Sequence, residues 1–145
     1  MKNIILLTHG EFSKGIAQSC RFILGEEENL TALSITLNET VEETRGMILN
    51  AMQAFGNNAP TLLITDIPGG STTQAAIQVM ASCPGVYLVT GLNLGLLLSL
   101  ITLDLTGNDQ EDLSSIREIV EEARETITLV NDLSGGDELS DDGEL

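Results

Sequence analysis

Tryptophan is absent from this chain, and three Phe and one Tyr are its whole aromatic complement, so any core built from it is aliphatic. There is one histidine, His9, and there are two cysteines, Cys20 and Cys83, far apart in sequence. With no CxxC and no second histidine, no metal-ligand spacing is present, and the cysteines read as small buried hydrophobes of a reducing compartment. No apolar run approaches the roughly 18 uninterrupted residues of a membrane-spanning helix. The short run Ile4-Ile5-Leu6-Leu7 after Lys2 is ended at once by Thr8-His9-Gly10, so it reads as a buried strand rather than a signal peptide. Basic residues are scarce: 6 Lys and Arg stand against 22 Asp and Glu, a net charge of −16. That balance excludes a basic nucleic-acid surface and docking on anionic lipid. Between residues 46 and 116 there is no Lys or Arg at all, and neither GxxxxGK nor GxGxxG occurs. Polyphosphate binding and kinase chemistry, which need a cation and a metal site, are therefore not expected.

The 145 residues that are there, 42% of them hydrophobic, suit one domain with a real core. A continuous apolar strand over 3–7 is followed by Phe12, Ile16, Cys20, Ile23 and Leu24 at helical spacing, stopped by Gly25. A second strand signal covers 30–37. Thr40-Val41-Glu42-Glu43 is a capping box, and the helix it opens ends at Gly56-Asn57-Asn58. Residues 61–65 form a third strand, 66–71 a loop, 72–81 a helix, 85–90 a fourth strand and 91–95 a loop. An apolar run over 96–103 follows, and a last helix is expected over 112–130, with Leu113, Ile116, Ile119, Val120, Ala123, Ile127 and Val130 on one face. The domain thus spans 1–130. The remainder, 131–145, holds six acids and reads as a disordered acidic tail; without it about −10 remains, from sixteen acids and six bases.

Strands alternating with helices predict an α/β, doubly wound, mainly parallel four-stranded sheet with helices on both faces. If the first and third strands lie side by side, their carboxyl ends bound a topological switch point, where such folds place ligands. Those ends carry His9 and Asp66. A carboxylate there can accept a hydrogen bond from Nδ1–H, fix the tautomer and leave Nε2 with a free lone pair, the arrangement of a nucleophile. Gly69-Gly70-Ser71-Thr72 supplies the other half of a phosphoryl site: glycines let successive amides converge on an anion, the following helix points its positive end there, and Ser71 or Thr72 can add a hydroxyl. With no nearby cation except Lys14, one turn into the first helix, such a group is held by amides, hydroxyls and a helix dipole, which suits a relay.

Residues 4–15 (Ile-Ile-Leu-Leu-Thr-His-Gly-Glu-Phe-Ser-Lys-Gly), Ile-Leu-Gly at 23–25, Thr-Asp-Ile-Pro-Gly-Gly-Ser at 65–71 and Gly-Leu-Asn-Leu at 91–94 resemble mannose-type enzyme IIA domains of the bacterial phosphoenolpyruvate:sugar phosphotransferase system. The resemblance runs from about residue 2 to 130. It implies that His9 accepts phosphate from HPr and passes it to a IIB component during sugar uptake, in the cytoplasm and with no cofactor or metal. It implies that Asp66 orients the histidine and Ser71 contacts the phosphoryl group. It also implies a homodimer with an extra strand, from beyond Val130, exchanged between subunits, and contact with the membrane only through transporter subunits. Two departures lie around the site: Thr72-Thr73-Gln74 where the family usually has Pro-x-Asn, and Gly95 where it commonly has Pro. The alternatives are the phosphotransfer subunit of a dihydroxyacetone kinase system and a non-catalytic regulatory module sensing phosphorylation state; a hydrolase is least expected, with no second base or metal cluster.

Overall fold

A computed structural model of the chain describes residues 1–26 and 29–133. Four strands, β1 (Asn3–His9), β2 (Leu30–Ile35), β3 (Thr61–Thr65) and β4 (Val86–Thr90), form one all-parallel sheet in the order β2-β1-β3-β4. The chain starts at an inner strand, steps outward to β2, then crosses back over β1 to β3 and β4. The doubly wound sheet expected from the sequence is therefore present, with its switch point between β1 and β3. Alternate strand residues face opposite layers. Ile4, Leu6, Leu62 and Ile64 pack with α1 (Phe12–Leu24), α4 (Leu94–Thr102) and α5 (Asp109–Arg124), through Ile16, Ala17, Leu97 and Ile116 among others. Ile5, Leu7 and Leu63 pack on the other side with α2 (Val41–Ala54) and α3 (Ser71–Ser82), through Ile48, Ala75, Ala76 and Val79. A sheet covered on both faces needs strands that are apolar at every position, which is why β1 and β3 show no polar alternation.

Local sequence sets the boundaries. The capping box at α2 is formed reciprocally: Thr40 Oγ1 accepts from Glu43 N–H at 3.0 Å, and Glu43 Oε1 accepts from Thr40 N–H at 2.9 Å. The apolar run after β4 is a helix, α4, because the Asn93 side chain caps it by accepting from Leu96 N–H at 2.9 Å. The last helix is displaced from its expected span of 112–130. It begins earlier because Asn108 caps it, accepting from Glu111 N–H at 3.1 Å, and because acids at 109, 111 and 112 suit its positive end. It ends at Arg124, where Thr126-Ile127-Thr128 resists helix continuation and the Thr126 hydroxyl donates to Ala123 O at 2.7 Å. Ile127 and Val130, expected on its buried face, are exposed. The expected acidic tail lies outside the described residues except for 131–133, and residues 130–132 form a single 3₁₀ turn. The exchanged strand expected from beyond Val130 falls largely on those same residues.

Candidate functional site

His9 is the last residue of β1 rather than part of the following turn: it still pairs with Ile35 of β2. The turn is made by Gly10 at φ +60°, a left-handed conformation that favours glycine, and its N–H reaches Ile35 O at 2.8 Å. Asp66 is the first residue beyond β3, on the neighbouring strand. The parallel register therefore places the imidazole and the carboxylate side by side at the same edge of the sheet.

Both His9 donors converge on one oxygen. His9 N–H reaches Asp66 Oδ2 at 2.8 Å, and Nδ1 lies 2.8 Å from the same atom. A carboxylate only accepts, so the Nδ1 side of this contact carries the proton, and Nε2 of the neutral ring keeps its lone pair. Nε2 has no partner among the described residues. The other oxygen, Oδ1, accepts from Ile67 N–H at 2.9 Å and from the Thr72 hydroxyl at 2.9 Å. Burial works against the charged form of Asp66, but the hydrogen bonds from His9, Thr72 and Ile67 outweigh it and hold the carboxyl below its usual range. The Asp66 side chain is 11% exposed and that of His9 35%, so the base is shielded while the ring stays reachable.

The loop from Asp66 leads into α3. Gly70 precedes its first helical residue, and no side chain caps that end. A Cβ at Gly70 would come 3.1 Å from His9 Cε1 and 3.1 Å from Ile67 Cγ1, so the bare glycine lets the backbone lie close to the ring without crowding it. The uncapped amides of the first turn are thus gathered beside the imidazole, the arrangement in which helix starts hold anions. Ser71 is the first helical residue, half-buried, and its hydroxyl makes no hydrogen bond among the described residues.

Not every expected residue sits as the sequence suggests. Gly69 is exposed, and a Cβ there would meet nothing within 4 Å. Thr72 is fully buried and its hydroxyl is spent on Asp66 rather than offered to a ligand. Thr73, which sequence reasoning passed over, donates to Ile67 O at 2.6 Å and lies 2.6 Å from Thr65 Oγ1, pinning the loop to β3. The polar Thr72-Thr73 pair at a helix start was the available signal. Lys14 lies 3.8 Å from Glu11, an exposed pair one turn apart. Among the described residues no group of His, Cys, Asp and Glu could hold a metal ion, and no helix is long and apolar enough to cross a membrane.

A family model described as EIIA-man, the PTS system fructose IIA component, matches residues 3–121. The chain belongs to this family. It is 26% identical over 146 residues to the fructose-specific EIIA component of the Bacillus subtilis (strain 168) PTS, an alignment covering 96% of this chain and 100% of that protein. It is 28% identical over 95 residues to the sorbose-specific EIIA component of Lacticaseibacillus casei, covering 66% of this chain and 68% of that one. Among solved structures, the mannose/sorbose specific IIA subunit from Enterococcus faecalis superposes with a TM-score of 0.77 at 25% identity, over 93% of this chain and 98% of that chain. The mannose-type IIA resemblance read from the motifs and the sheet read from the element order therefore agree with the family and its known structures.

Proposed function

We propose that this IIA-family chain is a cytoplasmic phosphoryl carrier that takes phosphate from HPr on His9 Nε2 and passes it to a IIB component during sugar uptake. The observation that carries the reading is the His9–Asp66 contact at 2.8 Å, with Nε2 left free beside the uncapped start of α3. In the first step the Nε2 lone pair attacks phosphorus, the bond from phosphorus to the donor's carrying atom breaks, and that donor group leaves with the bonding pair. The Nδ1 proton stays in place. The ring becomes a phosphoimidazolium, whose positive charge faces the Asp66 carboxylate. The phosphoryl oxygens meet α3 amides and the Ser71 hydroxyl, and a helix terminus contributes about 0.3–1 kcal/mol to a nearby anion, up to about 2 when partly buried. No lysine or arginine is at hand between residues 46 and 116 to deepen that well, so the group passes on readily.

Two apolar clefts, one of them bordered by His9, suit protein partners. One, of ≈ 540 Å³, is lined by His9, Ile35, Leu37 and Asn38, with Leu37 94% exposed. The other, of ≈ 430 Å³, is lined by Phe12, Ile16, Leu92 and Leu94. We place the acidic tail, 131–145, outside the carrier domain of 1–130. Incubation with enzyme I, HPr and labelled phosphoenolpyruvate tests the reading. An acid-labile, base-stable label is expected on the wild type and none on His9→Ala; equal labelling of the variant would overturn it.

A further inference from the structure

The Thr72 hydroxyl is a buried donor that the phosphoryl chemistry described so far leaves unused. Its residue is 0% exposed and its Oγ1 lies 2.9 Å from Asp66 Oδ1. The four donors on Asp66 divide evenly. Oδ2 takes both groups of His9, and Oδ1 takes Ile67 N–H and Thr72 O–H. The Ile67 amide belongs to the residue next in sequence and moves with Asp66. Thr72 is therefore the one donor on Oδ1 fixed to a separate element, the first turn of α3. A carboxylate turns easily about its last torsion, which is broad and two-fold. The β-branched Thr72 is itself stiff at χ1, so it is a firm anchor.

We infer that Thr72 is a positioning residue for phosphoryl transfer: its hydroxyl locks the Asp66 carboxylate to the start of α3, so that imidazole and amide rim hold one fixed spacing. The inference rests on the carrier reading and adds to it a part for a residue that touches neither donor nor acceptor. The same bond draws density from the carboxylate and, with the other three, favours its charged form, which keeps the proton on Nδ1.

Thr72→Val removes the hydroxyl and keeps a β-branched side chain, while Thr72→Ser keeps the hydroxyl. Transfer from phosphorylated HPr to His9 is expected to slow about tenfold in Thr72→Val, the scale of one hydrogen bond to a charged group, and to recover in Thr72→Ser. In an Asp66→Ala background Thr72→Val should cost nothing further, whereas a merely structural residue would add its full effect. Carbon NMR of Asp66 in the unphosphorylated chain should show the carboxyl titrating at higher pH in Thr72→Val than in wild type or Thr72→Ser. Failure of the two proposals looks different. Equal labelling of His9→Ala overturns the carrier reading. Wild-type labelling on His9 with an unchanged rate in Thr72→Val, an additive effect in the Asp66→Ala background, or an unmoved Asp66 titration overturns the positioning role alone.

Discussion

Two shielded carboxylates, Asp66 and Asp112, solve the same electrostatic problem and come to different ends. Asp112 is 1% exposed and accepts from Thr106 N–H at 2.7 Å, the Thr106 hydroxyl at 3.0 Å and Gly107 N–H at 3.0 Å. Burial disfavours its charge, but these bonds and Tyr87 more than offset that, and its carboxyl, like that of Asp66, is held below the usual range. Tyr87 in turn donates to Asp109 at 2.6 Å, and burial together with the two acids pushes its hydroxyl pKa up. Every partner of Asp112 is backbone or hydroxyl, and the outcome is a closed knot tying the turn before α5 to β4. Asp66 gives one oxygen to a ring whose far nitrogen meets solvent. A depressed carboxyl alone therefore does not mark a site; an open titratable partner does.

Breaking each carboxylate separates the two roles. The largest change in stability is expected from Asp112→Asn, about 2–4 kcal/mol, because the buried amide offers a donor where the wild type meets three. Urea unfolding measures this, and His9 should still label in the folded protein. Both carboxyls titrate lower folded than unfolded, so each contributes stability that is present above its unfolded value near about 4 and lost as pH falls through its lower folded value. The urea midpoint of the wild type should fall over that window, and that of Asp112→Asn should fall less. Asp66→Asn is expected to act on chemistry instead, slowing transfer about 10–100-fold with near-native unfolding; an unchanged rate would remove Asp66 from the mechanism. The smallest effect should come from Gly70→Ala. A Cβ 3.1 Å from His9 Cε1 must shift the ring or Ile67, so a several-fold slower transfer is expected, with a stability change below about 1 kcal/mol.

The inner position of β1 and β3 was legible because both are uninterrupted apolar runs, and such strands belong inside a parallel sheet, whereas their adjacency was a supposition that the strand order bears out. His9 and Asp66 followed, since strand ends and sheet order together place them. Three features escaped for identifiable reasons. The start of α5 is set by Asn108, one of several polar residues in Thr106-Gly107-Asn108-Asp109, and spacing does not say which of them caps. Its end is set by β-branched residues whose apolar members, Ile127 and Val130, continue the helical period although they lie exposed. The work of Thr72 depends on which way a hydroxyl turns at the start of α3, and a residue six places from its partner leaves no periodic trace.

The single oxygen that receives both the main chain and the ring of His9 has a kinetic consequence. A half-turn of the imidazole would put carbon where nitrogen now donates, and the peptide is tethered too, so the cargo cannot ride a swinging arm. On the proposed carrier reading, a protein donor and a protein acceptor would each have to come to the same stationary atom, so the two visits would exclude one another and alternate.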